Sequence, residues 1–352
     1  MIHIAGLQKQ RIFAGAAKIA AMKESAFLNW LMASAGTHPH VTVPIGDDMA
    51  AVKLPHPGAV PVLLKIDQCL DRIHFDLRVH TTMEIGRKAV NRCLSDCAAM
   101  AAWPSAVLIA VALPEKAEMR LAQGLFRGCK SAASRFDCAL VGGDTAIWDQ
   151  RLAITVAAMG YANADPILRS GAQIGDAIFV SGRLGGSLLR HHLSFVPRIK
   201  LAQQLLAVGK VHAMMDLSDG LAIDLPRLLQ RSNVGAVIAA GQVPIARDAI
   251  RLSRRDGICP LSHALCDGED YELLFTVAPD DSKKFEACAL PIVRIGTITQ
   301  HAGRVQLERD GRRIPWPQGG WNYGANAPPA AVGRRRPKMR IKRGKVRRRP
   351  DG

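Results

Sequence analysis

Long apolar runs are missing from this sequence. Although 48% of its 352 residues are hydrophobic, every run is broken by charge or glycine well before the ~18 residues that a membrane span needs. The N-terminal stretch also lacks a compact apolar segment followed by a cleavage site. Lys9, Arg11, Lys18 and Lys23 are scattered among alanines there, which reads as a ragged lead into a helix and not as a signal peptide. The eight cysteines form no C-x-x-C pair and no Cys/His set with zinc spacing, which points to reduced thiols and a cytoplasmic protein. Cys93 and Cys97, four apart on an expected helix, read as core packing. A Gly-Lys-Ser/Thr phosphate loop is absent too. The segment Ser181-Gly-Arg-Leu-Gly-Gly-Ser187 resembles a phosphate-binding turn only loosely, so its glycines are expected to serve strand-to-helix packing.

What is present is enough apolar sequence for a large core, over a length that suggests two domains. The expected division is 1–162 and 163–333, with Asn163-Ala-Asp-Pro166 as the turn between them and 334–352 as a separate tail. Of the net charge of +17, the tail carries +10, from eleven Lys/Arg against one Asp. It has no apolar periodicity and is expected to be disordered, attracting RNA or other polyanions without sequence preference.

Taken in order, residues 11–35 have helical spacing and stop at Gly36. Val60 to Asp67 reads as a buried strand ending on an aspartate, Glu84 to Ala102 as a helix, Val107 to Leu113 as a strand and Glu115 to Phe136 as a helix. Ala139-Leu-Val-Gly-Gly-Asp144-Thr145 then gives strand, double glycine and aspartate, and Leu152 to Tyr161 closes an α/β unit. Strands at 177–180, 236–240, 273–277 and 292–298, a helix from Leu221 to Arg231, and a hairpin turning at Asp310-Gly311 make up the second unit.

The chemistry lies in the acidic residues. Gly46-Asp47-Asp48 puts adjacent carboxylates on a glycine turn with no base inside it, so they need water, a basic partner or a cation. Asp96 lies deep in an alanine-rich helix, where a carboxylate must have a partner. With Asp67, Asp144, Asp216 and Asp219 these form a set without thiolate or histidine ligands, the chemistry of a hard ion such as Mg²⁺. Spacing alone leaves solvated aspartate turns open and otherwise points to a Mg²⁺-dependent enzyme acting on a nucleotide.

In this order and spacing, Gly46-Asp-Asp, Asp67 with His74-Phe75, Leu94-Ser-Asp-Cys-Ala-Ala-Met100, Gly142-Gly-Asp-Thr145, Arg169-Ser-Gly-Ala172, Asp216-Leu-Ser-Asp-Gly-Leu221 and Gly268-Glu-Asp-Tyr-Glu-Leu273 resemble the motif set of the thiamine-monophosphate kinase family, over about residues 15–325. The resemblance implies a mixed α/β, two-domain fold like that of aminoimidazole ribonucleotide synthetase, in a homodimer joined through strands of the first domains. It implies transfer of a phosphoryl group from ATP directly to thiamine monophosphate. Asp48, Asp67, Asp96, Asp144, Asp216 and Asp219 would hold Mg²⁺. Gly143, Asp144, Arg169 and Ser218 would contact ATP, and His74, Glu269 and Trp321 would lie near thiamine monophosphate.

The sequence departs from the family pattern at Lys65-Ile66, where Ser-Thr is usual, at Cys93, where Asn is usual, and in the run Gln68 to Ile73. Lys65 lies two residues before Asp67 and so on the same strand face, where its ammonium is placed to stand in for a metal charge. Competing readings are a sister enzyme of the same fold with another small acceptor, a degenerate nucleotide-binding relative, and an RNA-associated protein acting through the tail. The last is tested by truncation after Gly333. Removing the tail is expected to abolish salt-sensitive binding to RNA or heparin and to leave catalytic efficiency unchanged, measured by gel shift across a salt series and by steady-state kinetics.

Overall fold

The computed structural model describes residues 24–34, 36, 38–56, 58–317 and 319–320. Chain order in the first part is α1 (Glu24–Ser34), β1 (Val41–Val43), β2 (Ala50–Val52), β3 (Val62–Leu70), α2 (Thr82–Ala99), β4 (Trp103–Pro114), α3 (Met119–Ser134), β5 (Ala139–Trp148) and β6 (Ala153–Tyr161). The six strands form one sheet in the order β1-β2-β3-β6-β4-β5, antiparallel throughout except for the parallel pair β4–β5. After the 162–176 connection come β7 (Ala177–Ser181), α4 (His191–Ser194), α5 (Ile199–Val208), β8 (Val211–Asp216), α6 (Leu221–Ser232), β9 (Gly235–Ala239), α7 (Arg247–Asp256), α8 (Pro260–Cys266), β10 (Leu273–Val277), α9 (Pro279–Ala287), β11 (Ile292–Thr299), β12 (Val305–Arg309) and β13 (Arg312–Ile314). Their sheet has the order β13-β12-β9-β11-β7-β10-β8.

Helix α2 is the element between the two sheets. A capping box starts it: the Thr81 hydroxyl accepts from the Glu84 N–H, and the Glu84 carboxylate accepts from the Thr81 N–H. From Ile85 to Ala99 all but Arg87 are buried. One apolar core includes Ile85, Val90, Leu94 and Cys97 of α2, Val107 and Val156 of the first sheet, and Phe179, Met214 and Phe275 of the second. A smaller core under α6 and α8 belongs to the second sheet alone. Cys93 and Cys97 are fully buried in the shared core, as their spacing predicts.

Several elements run further than the sequence suggests. Asp67 is not at a strand end, because β3 pairs with β6 as far as Leu70↔Ala153 and the backbone hydrogen bonding continues past it. Asp144 is likewise inside β5, whose parallel pairing with β4 continues to Pro114↔Trp148. The double glycine answers to packing: Gly142 takes a φ of +151°, and a Cβ on Gly143 would lie 1.8 Å from the Ile109 carbonyl oxygen. Asp310 and Gly311 have φ of 50° and 72° and join β12 to β13 in the predicted hairpin. The expected helix 11–35 is described only as α1, and the rest of it lies outside the described residues, as do Trp321 and the tail.

Two glycines set how closely α2 and α3 approach. A Cβ on Gly86 would lie 2.2 Å from the Leu125 carbonyl oxygen, and one on Gly128 would lie 2.2 Å from that of Met83. Helix propensity alone favours alanine over glycine by about 1 kcal/mol. Here the steric term wins, because the neighbours are backbone and the helices must separate. Gly128→Ala is expected to lose about 2 kcal/mol of stability, read as a lower urea midpoint at unchanged slope.

Candidate active site

Three carboxylates from separate elements converge. Asp48 follows the turn before β2, Asp96 projects from the last part of α2, and Asp216 ends β8 of the second sheet. One oxygen of each lies within 4.8 Å of the others, and all three side chains are buried. The surrounding side chains are cations and donors. Arg169 grips Asp48 with both arms of its guanidinium, Nε to Oδ2 at 3.0 Å and Nη2 to Oδ1 at 2.6 Å, while its backbone N–H donates to Asp47 Oδ1 at 2.7 Å. Lys65 Nζ donates to Asp96 Oδ1 at 2.9 Å, and Ser95 Oγ donates to Asp216 Oδ2 at 2.6 Å. Arg92 pairs with Asp67 at 3.2 Å, and Arg231 lies 3.7 Å from Asp47.

These bases do not fully offset the cluster. Burial, and then the charge of Asp48, push Asp216 up to about 6 from its ordinary 3.8. Asp96 is raised well above its ordinary value, chiefly by burial and also by Asp216, Asp48 and Asp67, against the lowering effect of Lys65. Burial by itself lowers the Lys65 pKa, but Asp96, Asp67 and Asp48 outweigh it and hold the ammonium protonated. Three crowded, buried carboxylates still short of positive charge, with oxygen donors only, fit a hard divalent cation.

The other predicted positions separate into two groups. His74 and Glu269 come together through Lys88, which sequence reasoning missed. Lys88 is fully buried, and its Nζ donates to Glu269 Oε2 at 2.7 Å and to the His74 carbonyl oxygen at 2.6 Å, with His192 Nδ1 at 2.8 Å. Burial acts to raise the Glu269 pKa, yet Lys88 and then His192 bring it below the usual carboxylate range. The His74 ring accepts from the Leu70 N–H at 2.9 Å, and burial drives its pKa down to about 2, so it is neutral. The Glu269 loop is pinned to the strand β8 exit: Glu269 N–H donates to the Ser218 carbonyl at 2.7 Å and Tyr271 N–H to that of Leu217 at 2.8 Å, with both residues at positive φ. Lys88, Arg92, Ser95 and Asp96 recur at i, i+4, i+7 and i+8. That polar stripe on an alanine-rich helix is the signal by which they were detectable.

Asp144, Gly143 and Asp219 are not in the cluster. Asp219 is paired with Arg227 at 2.5 Å, beside Asp224. The row Gln68↔Thr155↔Ala110↔Asp144 runs across four strands, which places Asp144 about 14 Å from β3 at ordinary strand spacing. Opposed residues share a face, so Asp144 lies on the face with Gln68, whereas Lys65 and Asp67 lie on the α2 face. Within one chain the structure therefore keeps Asp144 apart from Asp48, Asp96 and Asp216. The loop at 181–187 is packed as the sequence predicts: Gly185 N–H donates to Asp270 at 2.8 Å and Gly186 N–H to Asp267 at 2.7 Å, so the chain's own carboxylates take these donors.

Comparison with known proteins decides the family. Residues 46–162 match the model of the AIR synthase related protein N-terminal domain, and 172–308 that of its C-terminal domain. The thiamine-monophosphate kinase of Rhodopirellula baltica is 39% identical over 80% of this chain and 90% of its own length. This chain belongs to the thiamine-monophosphate kinase family. A further member, from Haemophilus influenzae, is 33% identical over 78% of this chain and 89% of its own length. Among solved structures, AaThiL complexed with AMPPCP and TMP superposes with a TM-score of 0.74 at 29% identity, covering 86% of this chain and 97% of that one. The thiamine monophosphate kinase from Aquifex aeolicus gives a TM-score of 0.68 at 27% identity, over 82% and 97%. The mixed α/β, two-sheet fold expected from the resemblance is thus the fold of the family.

The Lys88 network supplies a stability test. Lys88→Met leaves Glu269 charged and buried without its main partner, at an expected loss of about 3–5 kcal/mol. Adding Glu269→Gln in the same chain is expected to recover most of it, measured by urea unfolding as a double-mutant cycle.

Proposed function

We propose that this chain is a Mg²⁺-dependent thiamine-phosphate kinase: it transfers the γ-phosphoryl group of ATP to the phosphate of thiamine monophosphate, giving thiamine diphosphate. Family membership supports the reaction, and the observation in this molecule that carries the reading is the buried Asp48–Asp96–Asp216 set facing both sheets. In this reading these three residues hold Mg²⁺, which supplies charge neutralisation to phosphate oxygens and alignment of attacking and leaving oxygens.

The chain's own residues do the rest. Arg169 and Ser95 fix the carboxylates from behind, so the site needs little reorganisation when two polyanions enter. Ser218, at the same β8 exit, would contact the nucleotide, and Asp219, paired with Arg227 in the free chain, would be the ligand of a further ion. Lys88 holds His74 and Glu269 as a rigid, neutral-plus-ionic wall behind the acceptor. Asp67 flanks the cluster in its pair with Arg92. No covalent nucleophile is required, because the acceptor phosphate oxygen is itself the nucleophile.

A homodimer belongs to this reading. The face of the first sheet turned away from α2 leaves Leu64, Ile66, Leu108 and Met159 between 40% and 66% exposed, an apolar patch that a second copy would cover. Gly143 and Asp144 lie at its margin, so they meet nucleotide and metal in the partner's site and not in their own. Among the described residues no helix is long and apolar enough to cross a membrane, consistent with the cytoplasmic setting proposed here.

Purified protein incubated with ATP, Mg²⁺ and thiamine monophosphate is expected to form thiamine diphosphate, and absence of product with a native melt would overturn the reading. Asp96→Asn is expected to lower kcat by at least about 100-fold, the scale of losing one preorganised electrostatic contact. Mixing and refolding two inactive chains, Asp96→Asn and Asp144→Asn, is expected to restore activity, because one site of the mixed dimer then has both aspartates intact. No restoration would place Asp144 in its own chain's site or outside the mechanism.

A further inference from the structure

Four of the five carboxylates in and beside the cluster have a basic partner of their own. Asp47 and Asp48 meet Arg231 and Arg169, Asp67 meets Arg92, and Asp96 meets Lys65. Only Asp216 is held by a neutral donor, Ser95. Five carboxylates therefore face four fixed cations, which leaves one negative charge unmatched. A site built to take several divalent ions by carboxylate charge alone would not be so nearly neutral before any ion arrives.

Two of these cations bond a member of the trio itself, Arg169 at Asp48 and, as a compact ammonium, Lys65 at Asp96. Lys65 leaves β3 on the α2 face and places Nζ 2.9 Å from Oδ1 of Asp96, itself a member of the Asp48–Asp96–Asp216 group. Its side chain as a whole is 26% exposed, so Lys65 lies at the edge of the buried carboxylates. An ammonium there, tethered to β3, supplies one positive charge beside Asp96 that cannot dissociate from the cluster.

We infer that Lys65 is a built-in substitute for one metal ion: the free chain holds a single divalent cation at Asp48–Asp96–Asp216, and the place a second ion would take beside Asp96 belongs to the Lys65 ammonium. Lys65 acts through Asp96 as a positioning residue, and Arg92 does the same for Asp67. The inference rests on the metal-dependent reading of this site. It assigns the chain a smaller metal demand than its count of aspartates suggests, and it gives the Lys65-Ile66 departure a physical role.

The test counts metals. Full-length protein is stripped with EDTA and titrated with Mn²⁺ alone, without nucleotide, by electron paramagnetic resonance and calorimetry. The unaltered chain is expected to bind one ion. Lys65→Ser removes the ammonium and restores a hydroxyl, and is expected to bind a second ion or to tighten the first by a factor on the order of 100. Lys65→Arg keeps the charge and is expected to match the unaltered chain, which a merely packing role for Lys65 would not predict. If Lys65→Ser is unfolded in EDTA, recovery of a native melt on adding Mn²⁺ reports the same exchange, and failure to recover overturns it. Equal Mn²⁺ number and affinity in the unaltered chain and Lys65→Ser also overturns it. A clear Mn²⁺ difference without formation of thiamine diphosphate would remove the substrate reading and leave this inference standing, while normal turnover with equal Mn²⁺ binding would do the reverse.

Discussion

A charge taken out of water must meet its opposite, and helix α2 places Lys88, Arg92 and Asp96 where almost no water reaches them. Each is answered by a residue from another element: Glu269 from the second part of the chain for Lys88, Asp67 of β3 for Arg92, and Lys65 of β3 for Asp96. Two of these pairs fix α2 on β3 of the first sheet, and Lys88–Glu269 ties it to the second part of the chain. Apolar packing of α2 supplies the driving force, since it is non-directional, and the ion pairs select the arrangement. Removing one partner is costly for the reason that makes the set selective: the partner left behind has no solvent to turn to.

Close approach makes this geometry possible. The glycine pair Gly86 and Gly128 brings α3 against one side of α2 at backbone contact distance, so the polar stripe is turned toward the β3 strand and the second sheet. At the far end of the stripe the cluster is completed by Asp48 and Asp216, which arrive from a turn and from a strand end. The residual excess of negative charge is concentrated there, and not along the rest of the helix, where Lys88 and Arg92 are matched. Polarity is thus graded along one helix, from a satisfied ionic wall near His74 and Glu269 to an electron-rich mouth at Asp96 and Asp216.

The first sheet shows two faces of different character. Its α2 face carries Lys65 and Asp67 among buried residues, and its other face carries Leu64, Ile66, Leu108 and Met159 in the open. Alternation along β3 is enough to sort these residues, because successive side chains point to opposite sides. The same alternation, carried across β6 and β4 by register, puts Asp144 on the open face. A motif that stands near the others in the sequence order of the family is thereby separated from them within one chain.

The sequence by itself determined the composition of the site and most of its scaffold. Its acidic motifs in order identify the family, helix α2 is legible from its alanine-rich run, and the shared face of Lys65 and Asp67 follows from strand period alone. The Asp310-Gly311 hairpin and the packing role of the loop at 181–187 were equally legible, because turn chemistry and glycine sterics are local. Tertiary structure decided the partners. That Asp48, Asp96 and Asp216 meet, that Arg169 grips Asp48, that Lys88 ties His74 to Glu269, and that Asp67 and Asp144 lie inside strands depend on contacts between residues dozens to hundreds apart in sequence. Local pattern fixes which face a side chain takes, but Coulomb attraction and burial act through space, so which opposite charge waits on that face is settled only when the sheets close on α2.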